Sequence, residues 1–73
     1  MQNEPIHMRV RMAVEDSGLK HRFIAQQLGV SPPVLSAMLS GQRKILADEF
    51  FLLCEAMKMR PDELYNYQSK KGA

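Results

Sequence analysis

The stretch KHRFIAQQLGVSPPVLSAMLSGQRK, Lys20 to Lys44, decides how the rest of the chain is read. It holds two apolar helical patterns, Phe23, Ile24 and Leu28 in the first and Val34, Leu35, Met38 and Leu39 in the second. Only Gly29, Val30 and Ser31 separate them. A connection this short does not let two helices lie antiparallel side by side, so they must cross steeply. Ala25 leaves room at the closest approach, where anything larger than a methyl would push the helices apart, and Gly29 permits the positive φ of the turn. Ser31 is a favoured N-cap for the second helix. Pro32 and Pro33 follow at its first two positions, where a missing N–H leaves no intrahelical bond unmade. Gly41 ends it.

Working outward, residues 1 to 5 are polar and close on Pro5, which suits a frayed start before a proline-led first turn. A first helix follows from about Ile6 to Ser17, with Ile6, Val10, Ala13 and Val14 on one face. Gly18 stops it and Leu19 packs back. The second helix runs from about His21 to Leu28, with Gln26 and Gln27 facing water. After the third helix, GQRKI is a basic loop, and a fourth helical pattern begins at Leu46. Asp48 and Glu49 stand in its first turn and Lys58 near its end, the polarity that favours the helix dipole. Phe50, Leu53, Cys54 and Met57 mark its inner face, with Phe51 adjoining. Pro61 opens a short fifth helix, PDELYNYQ, anchored by Leu64, and the tail SKKGA should be mobile. No run alternates apolar and polar residues with β-branched enrichment. The expected fold is therefore all-α, a single five-helix domain over residues 1–73 whose ends, 1–5 and 68–73, are mobile.

Seventy-three residues are near the lower end of what a hydrophobic core supports alone, and leave no room for a second domain. One cysteine, Cys54 in the apolar run FFLLCEAM, excludes an intramolecular disulfide and paired-cysteine zinc sites, and reads as a buried small hydrophobe. No apolar stretch approaches the roughly 20 residues of a membrane span, and MQNEPIHMRV lacks a signal-peptide hydrophobic segment. A cytoplasmic location without membrane association is expected. Net charge is +2, unevenly spread: residues 1 to 46 hold six Lys/Arg against three Asp/Glu, and residues 47 to 73 hold four against five. The first part is the one suited to a polyanion.

These elements resemble the lambda repressor/Cro (XRE) family of helix-turn-helix DNA-binding domains, over about residues 6 to 67. The family pattern stands here as Gly18, Leu19, Ile24, Ala25, Leu28, Gly29, Val30 and Ser31, followed by Leu35, Ser36 and the Gly41 of SGQRK. LCEAMKMRPDEL is similar to the family's ending, a fourth helix leading into a short fifth one. The resemblance implies a compact five-helix, lambda-repressor-like fold in which helix 3 enters the major groove of double-stranded DNA. By position, Pro32, Pro33, Val34 and Ala37 would face base edges with Ser36 and Ser40 flanking them. Lys20, His21, Arg22, Gln42, Arg43 and Lys44, with Ser40, would line the phosphate backbone.

The chain departs from the family in three places. His21 stands where many members carry a glutamine that reaches phosphate; it could donate a hydrogen bond there, more strongly when protonated, or be simply exposed. The base-facing positions hold no Arg, Asn or Gln, so bidentate readout of guanine or adenine is thin, leaving thymine methyls, Ser36, Gln42, Arg43 and DNA shape. Where some repressors bury an Arg–Glu pair between helices 1 and 3, this chain has Val14 and Leu39, an apolar pair expected to be buried in contact without desolvating charge.

The function implied is a sequence-specific transcriptional regulator of phage or bacterial type, binding DNA as a homodimer on two half-sites. Helix 5 with Tyr65 to Tyr67 is the candidate dimer surface, unless one tyrosine caps the core and the other is solvated. The other reading is a protein-binding adaptor or antitoxin that presents the same fold to a protein partner. Enzymatic activity is not expected. His7, His21, the serines and the acids form no nucleophile–base constellation, and neither a phosphate-binding glycine loop nor spaced metal ligands are present, so no cofactor or metal is implied. His7 reads as a solvated residue on the surface of helix 1.

Overall fold

A computed structural model describes residues 5–68, and the expectation of mobile ends, 1–5 and 68–73, lies outside them except at Pro5 and Gln68. The order is α1 (Ile6–Ser17), α2 (His21–Leu28), α3 (Pro32–Ser40), α4 (Ala47–Met57) and α5 (Pro61–Tyr65), with no strand among the described residues. None of these helices is long and apolar enough to cross a membrane.

Four of the five starts have a local cause. Pro5 is the N-cap of α1, one position before the first turn, and its carbonyl accepts from the Met8 and Arg9 N–H groups at 3.0 and 3.4 Å. Ser31 caps α3, its hydroxyl accepting from the Val34 N–H at 3.4 Å. Neither α4 nor α5 has a capping side chain at the N-cap. Instead the glutamate at the third helical position reaches back: Glu49 accepts from the Leu46 N–H at 2.9 Å and Glu63 from the Arg60 N–H at 2.8 Å. α4 therefore begins at Ala47, with Leu46 as its cap. It ends on Lys58, held in the left-handed region at φ 57, the only non-glycine with positive φ among the described residues.

The core forms where α1 meets α3 and α5, and where α2 meets α3 and α4. Val10, Ile24, Leu35, Met38, Leu53 and Leu64 are fully enclosed at its centre. Val14 and Leu39 are both buried in this cluster, so no charged pair fills the space between α1 and α3. Ala25 is buried in α2 and Cys54 in α4, where burial pushes its thiol pKa up. Phe23 and Phe51 are exposed, the latter placed by the pattern only beside the inner face of α4, and Ala56 takes a buried place on α4 that the apolar pattern did not assign.

α5 is tied back to α1 at two points. The Arg9 guanidinium lies 5.4 Å from the centre of the Tyr65 ring and donates to the Tyr65 carbonyl at 2.8 Å. Beyond the helix, the half-buried Tyr67 packs against the core and its hydroxyl donates to Asp16 at 2.7 Å. Burial and that carboxylate together push the Tyr67 pKa up to about 12. Tyr67 thus caps the core while Tyr65 stays exposed. α5 itself ends at Tyr65, earlier than the sequence pattern through Gln68 suggested.

Candidate nucleic-acid interface

α3 divides cleanly around its axis. At about 100° per residue, Val34, Leu35, Met38 and Leu39 fall on one side, and Pro32, Pro33, Ser36, Ala37 and Ser40 within an arc of about 140° on the other. Burial follows this division: Leu35, Met38 and Leu39 are buried, Val34 is partly buried against the core, and Pro32, Pro33, Ser36 and Ser40 are exposed, with Ala37 half-buried between them. Of the four residues expected to face base edges, Pro32, Pro33 and Ala37 lie on the outer arc with the flanking Ser36 and Ser40. Val34 lies at the core-side margin next to Ala37.

The turn before α3 sets where α2 ends. Gly29, at φ 73, lets the Val30 N–H donate to the Ala25 carbonyl at 3.0 Å, closing α2 just before Ser31 starts α3. The loop after α3 is fixed from one atom. The Ala37 carbonyl oxygen accepts from the Gln42 N–H at 2.9 Å, the Arg43 N–H at 3.2 Å and the Ser40 hydroxyl at 3.1 Å.

Arg43 then anchors that loop to α4. Its Nη1 and Nη2 each donate to Glu49, on Oε1 and Oε2, at 2.8 Å, and Nη1 also donates to the Lys44 carbonyl at 3.0 Å. The bond to Glu49 raises the Arg43 pKa, and the same bond, with the Leu46 N–H, holds the Glu49 carboxyl below the usual carboxylate range. Arg43 is therefore a cation already committed to a carboxylate, whereas Gln42 and Lys44 on either side are exposed. Lys20, His21 and Arg22 are exposed at the start of α2.

One cleft borders the outer arc and a second borders the loop after it. The first, of about 260 Å3, is lined by His21, Ser36 and Ser40 together with Arg11, Glu15 and Leu39. The other, of about 250 Å3, is lined by Gly41, Arg43 and Lys44 together with Ile6, His7 and Ile45. Both draw on α1, which the sequence reading left out of the interface. His7 is not a solvated surface residue: it is partly buried, with its ring packed where a side chain on Gly41 would have to go. The signal for both was the row His7, Arg11, Glu15 at i, i+4 spacing beside Val14, once Val14 is set against Leu39.

An exposed helical arc lined by short side chains, with one polar cleft along it and the exposed Lys20, Arg22 and Lys44 on the adjoining segments, suits a phosphate-rich groove rather than an enclosed small molecule. Among known proteins, a helix-turn-helix family model matches residues 10–64, from the middle of α1 into α5. Searches of curated proteins and of solved structures each gave no match. The matched span covers both crossing helices and most of the core that supports them, so the chain belongs to the lambda repressor/Cro-like (XRE) family of DNA-binding helix-turn-helix regulators.

Proposed function

We propose that this protein is a sequence-selective transcriptional repressor that lays the outer arc of α3 in a major groove and blocks polymerase at an operator. The observation that carries the reading is the division of α3: every residue on its outer arc is short enough to let the helix approach the base edges closely, and the cations at the start of α2 and after α3 are exposed. Pro32, Pro33 and Ala37 touch thymine methyls, and Ser36 adds one hydroxyl. Val34 contributes only its outer edge. Lys20, His21, Arg22, Ser40, Gln42 and Lys44 grip phosphates, and Arg43 acts by holding their loop against Glu49.

So small a module gains useful affinity by binding as a homodimer on half-sites about one helical turn apart. With Tyr67 capping the core, α5 offers the exposed Tyr65 alone to a pairing surface, so the tyrosines no longer mark where the two copies meet. Such a regulator works in the cytoplasm, beside the DNA it reads.

Selection of binding sites from random duplex DNA tests this reading. The expected result is an enriched palindrome rich in A·T steps where Pro32 and Pro33 enter. Recovery of a specific protein partner with no enriched DNA sequence would replace it with the adaptor or antitoxin reading.

A further inference from the structure

The cleft between α1, the start of α2 and the end of α3 contains an arginine that neither the family pattern nor the apolar periodicity singled out. Arg11 lines it with His21, Ser36 and Ser40, and Glu15 stands on the same wall. Arg11 Nε donates to Glu15 Oε2 at 3.2 Å across one turn of α1. This is a single bond, not a fork, and both side chains are more than half exposed, 58% and 55%. A pair of this kind holds a guanidinium weakly and leaves most of its donors available.

We propose that Arg11 is a further phosphate-binding residue, held by Glu15 in the free protein and handed to a DNA backbone phosphate seated in this cleft. The inference rests on the DNA-binding reading above. The cleft holds about 260 Å3, ample for one phosphodiester group, and the residues facing it are an arginine, an imidazole and two hydroxyls, opposed by the single carboxylate of Glu15. A guanidinium fork matches two phosphate oxygens better than one carboxylate oxygen reached through Nε alone. His21 and Ser40 already belong to the proposed backbone contacts, and Arg11 completes their set from the α1 side. Glu15 limits affinity twice, by occupying Arg11 and by repelling the arriving phosphate. Arg11 and Glu15 therefore set the strength of the grip without touching a base, and a change at either should act alike on every DNA sequence.

The test is binding of the full chain to a mixed-sequence duplex of about two helical turns, measured over a range of salt concentrations. The variants are Arg11→Gln, Arg11→Lys, Glu15→Gln, Arg22→Gln and, outside both clefts, Lys58→Gln. Arg11→Gln should weaken binding about three- to tenfold and shallow the salt slope by about one unit, and Arg11→Lys should restore the slope. Glu15→Gln should tighten binding about two- to fivefold, while Lys58→Gln leaves the slope unchanged. Thermal unfolding of the Arg11 and Glu15 variants should stay close to that of the unsubstituted chain, since exposed single-bond pairs add little stability. If Arg11→Gln keeps the full slope while Arg22→Gln loses one unit, Arg11 is not a phosphate ligand and the DNA reading stands. If the unsubstituted chain shows no salt-dependent binding to any duplex, both fall together.

Discussion

Arg43 and Glu49 face each other fork to fork, with both nitrogen–oxygen distances at 2.8 Å, and the carboxylate that takes the fork also takes the Leu46 N–H. One glutamate thus joins the loop after α3 to the first turn of α4. The pair is asymmetric in exposure, 36% for the Arg43 side chain and 11% for Glu49, so the carboxylate is the enclosed end and the arginine its cover.

That relationship separates two neighbouring cations. Arg43→Ala should lower the unfolding temperature and weaken DNA binding together, because the loop loses its anchor and Glu49 is left enclosed without its partner. Lys44→Ala should leave the unfolding temperature unchanged and shallow the salt slope of binding by about one unit. Differential scanning calorimetry beside a salt titration measures both. Equal slope losses in the two variants with no thermal difference would show that Arg43 works as a free phosphate ligand.

The same carboxylate gives the fold a pH dependence of known sign. The folded pKa of Glu49 lies below its ordinary value, about 4.3, so the unfolded chain binds that proton more readily. Its contribution is fully present above that ordinary value and is lost as pH falls through the lower folded pKa. Urea denaturation at pH 7, 5, 4 and 3 should show stability declining on the acid side, and in Glu49→Gln the decline should be shallower. Parallel acid limbs in the two proteins would remove Glu49 from the account.

The crossing helices were legible because their signals are local. Ser31, Pro32, Pro33, Gly29 and Gly41 state where α2 ends and where α3 begins and stops, and the boundaries of α1 to α3 match the sequence reading residue for residue. Contacts that depend on how separate segments meet were not legible. The Arg43–Glu49 pair requires the turn between them, and the placement of His7 and Arg11 beside α3 requires the register of α1. Phe23 and Phe51 have the hydrophobicity of core residues, yet apolar runs of three and five residues, FIA and FFLLC, on short helices supply more such side chains than one face can bury. Lys58 reads as a dipole complement at the end of α4, and nothing in its identity announces a left-handed backbone.

Lys58 offers a stabilising change for that reason. A side chain in the left-handed region costs about 1–2 kcal/mol, of which glycine recovers a part after its greater freedom in the unfolded chain is counted. Lys58→Gly should stabilise by roughly 0.5–1 kcal/mol and raise the unfolding temperature by about 2–8 °C. DNA binding should be unaffected. A lower unfolding temperature would mean that the lysine side chain supports the end of α4 by more than its backbone costs.

Gly41 presents the opposite case, a left-handed position that cannot accept a side chain cheaply. It adopts φ 87, and a Cβ there would lie 2.7 Å from both Cε1 and Nε2 of His7 and 3.1 Å from Cδ2. Two costs therefore separate experimentally. Gly41→Ala incurs the left-handed backbone penalty, about 1–2 kcal/mol, and also drives the imidazole out of its place against the loop. In the double variant His7→Ala, Gly41→Ala the ring is gone, so the clash is relieved while the backbone penalty remains. The combined loss should be smaller than the sum of the two single losses, the mark of residues in contact. Because the Gly41 turn carries Gln42, Arg43 and Lys44, Gly41→Ala should also weaken DNA binding, and the double variant should regain part of it. Thermal unfolding of the four proteins closes the cycle, with DNA titration alongside. Strict additivity would show that His7 does not confine the loop, and a Gly41→Ala protein as stable as its parent would mean that the turn itself rearranges at no cost.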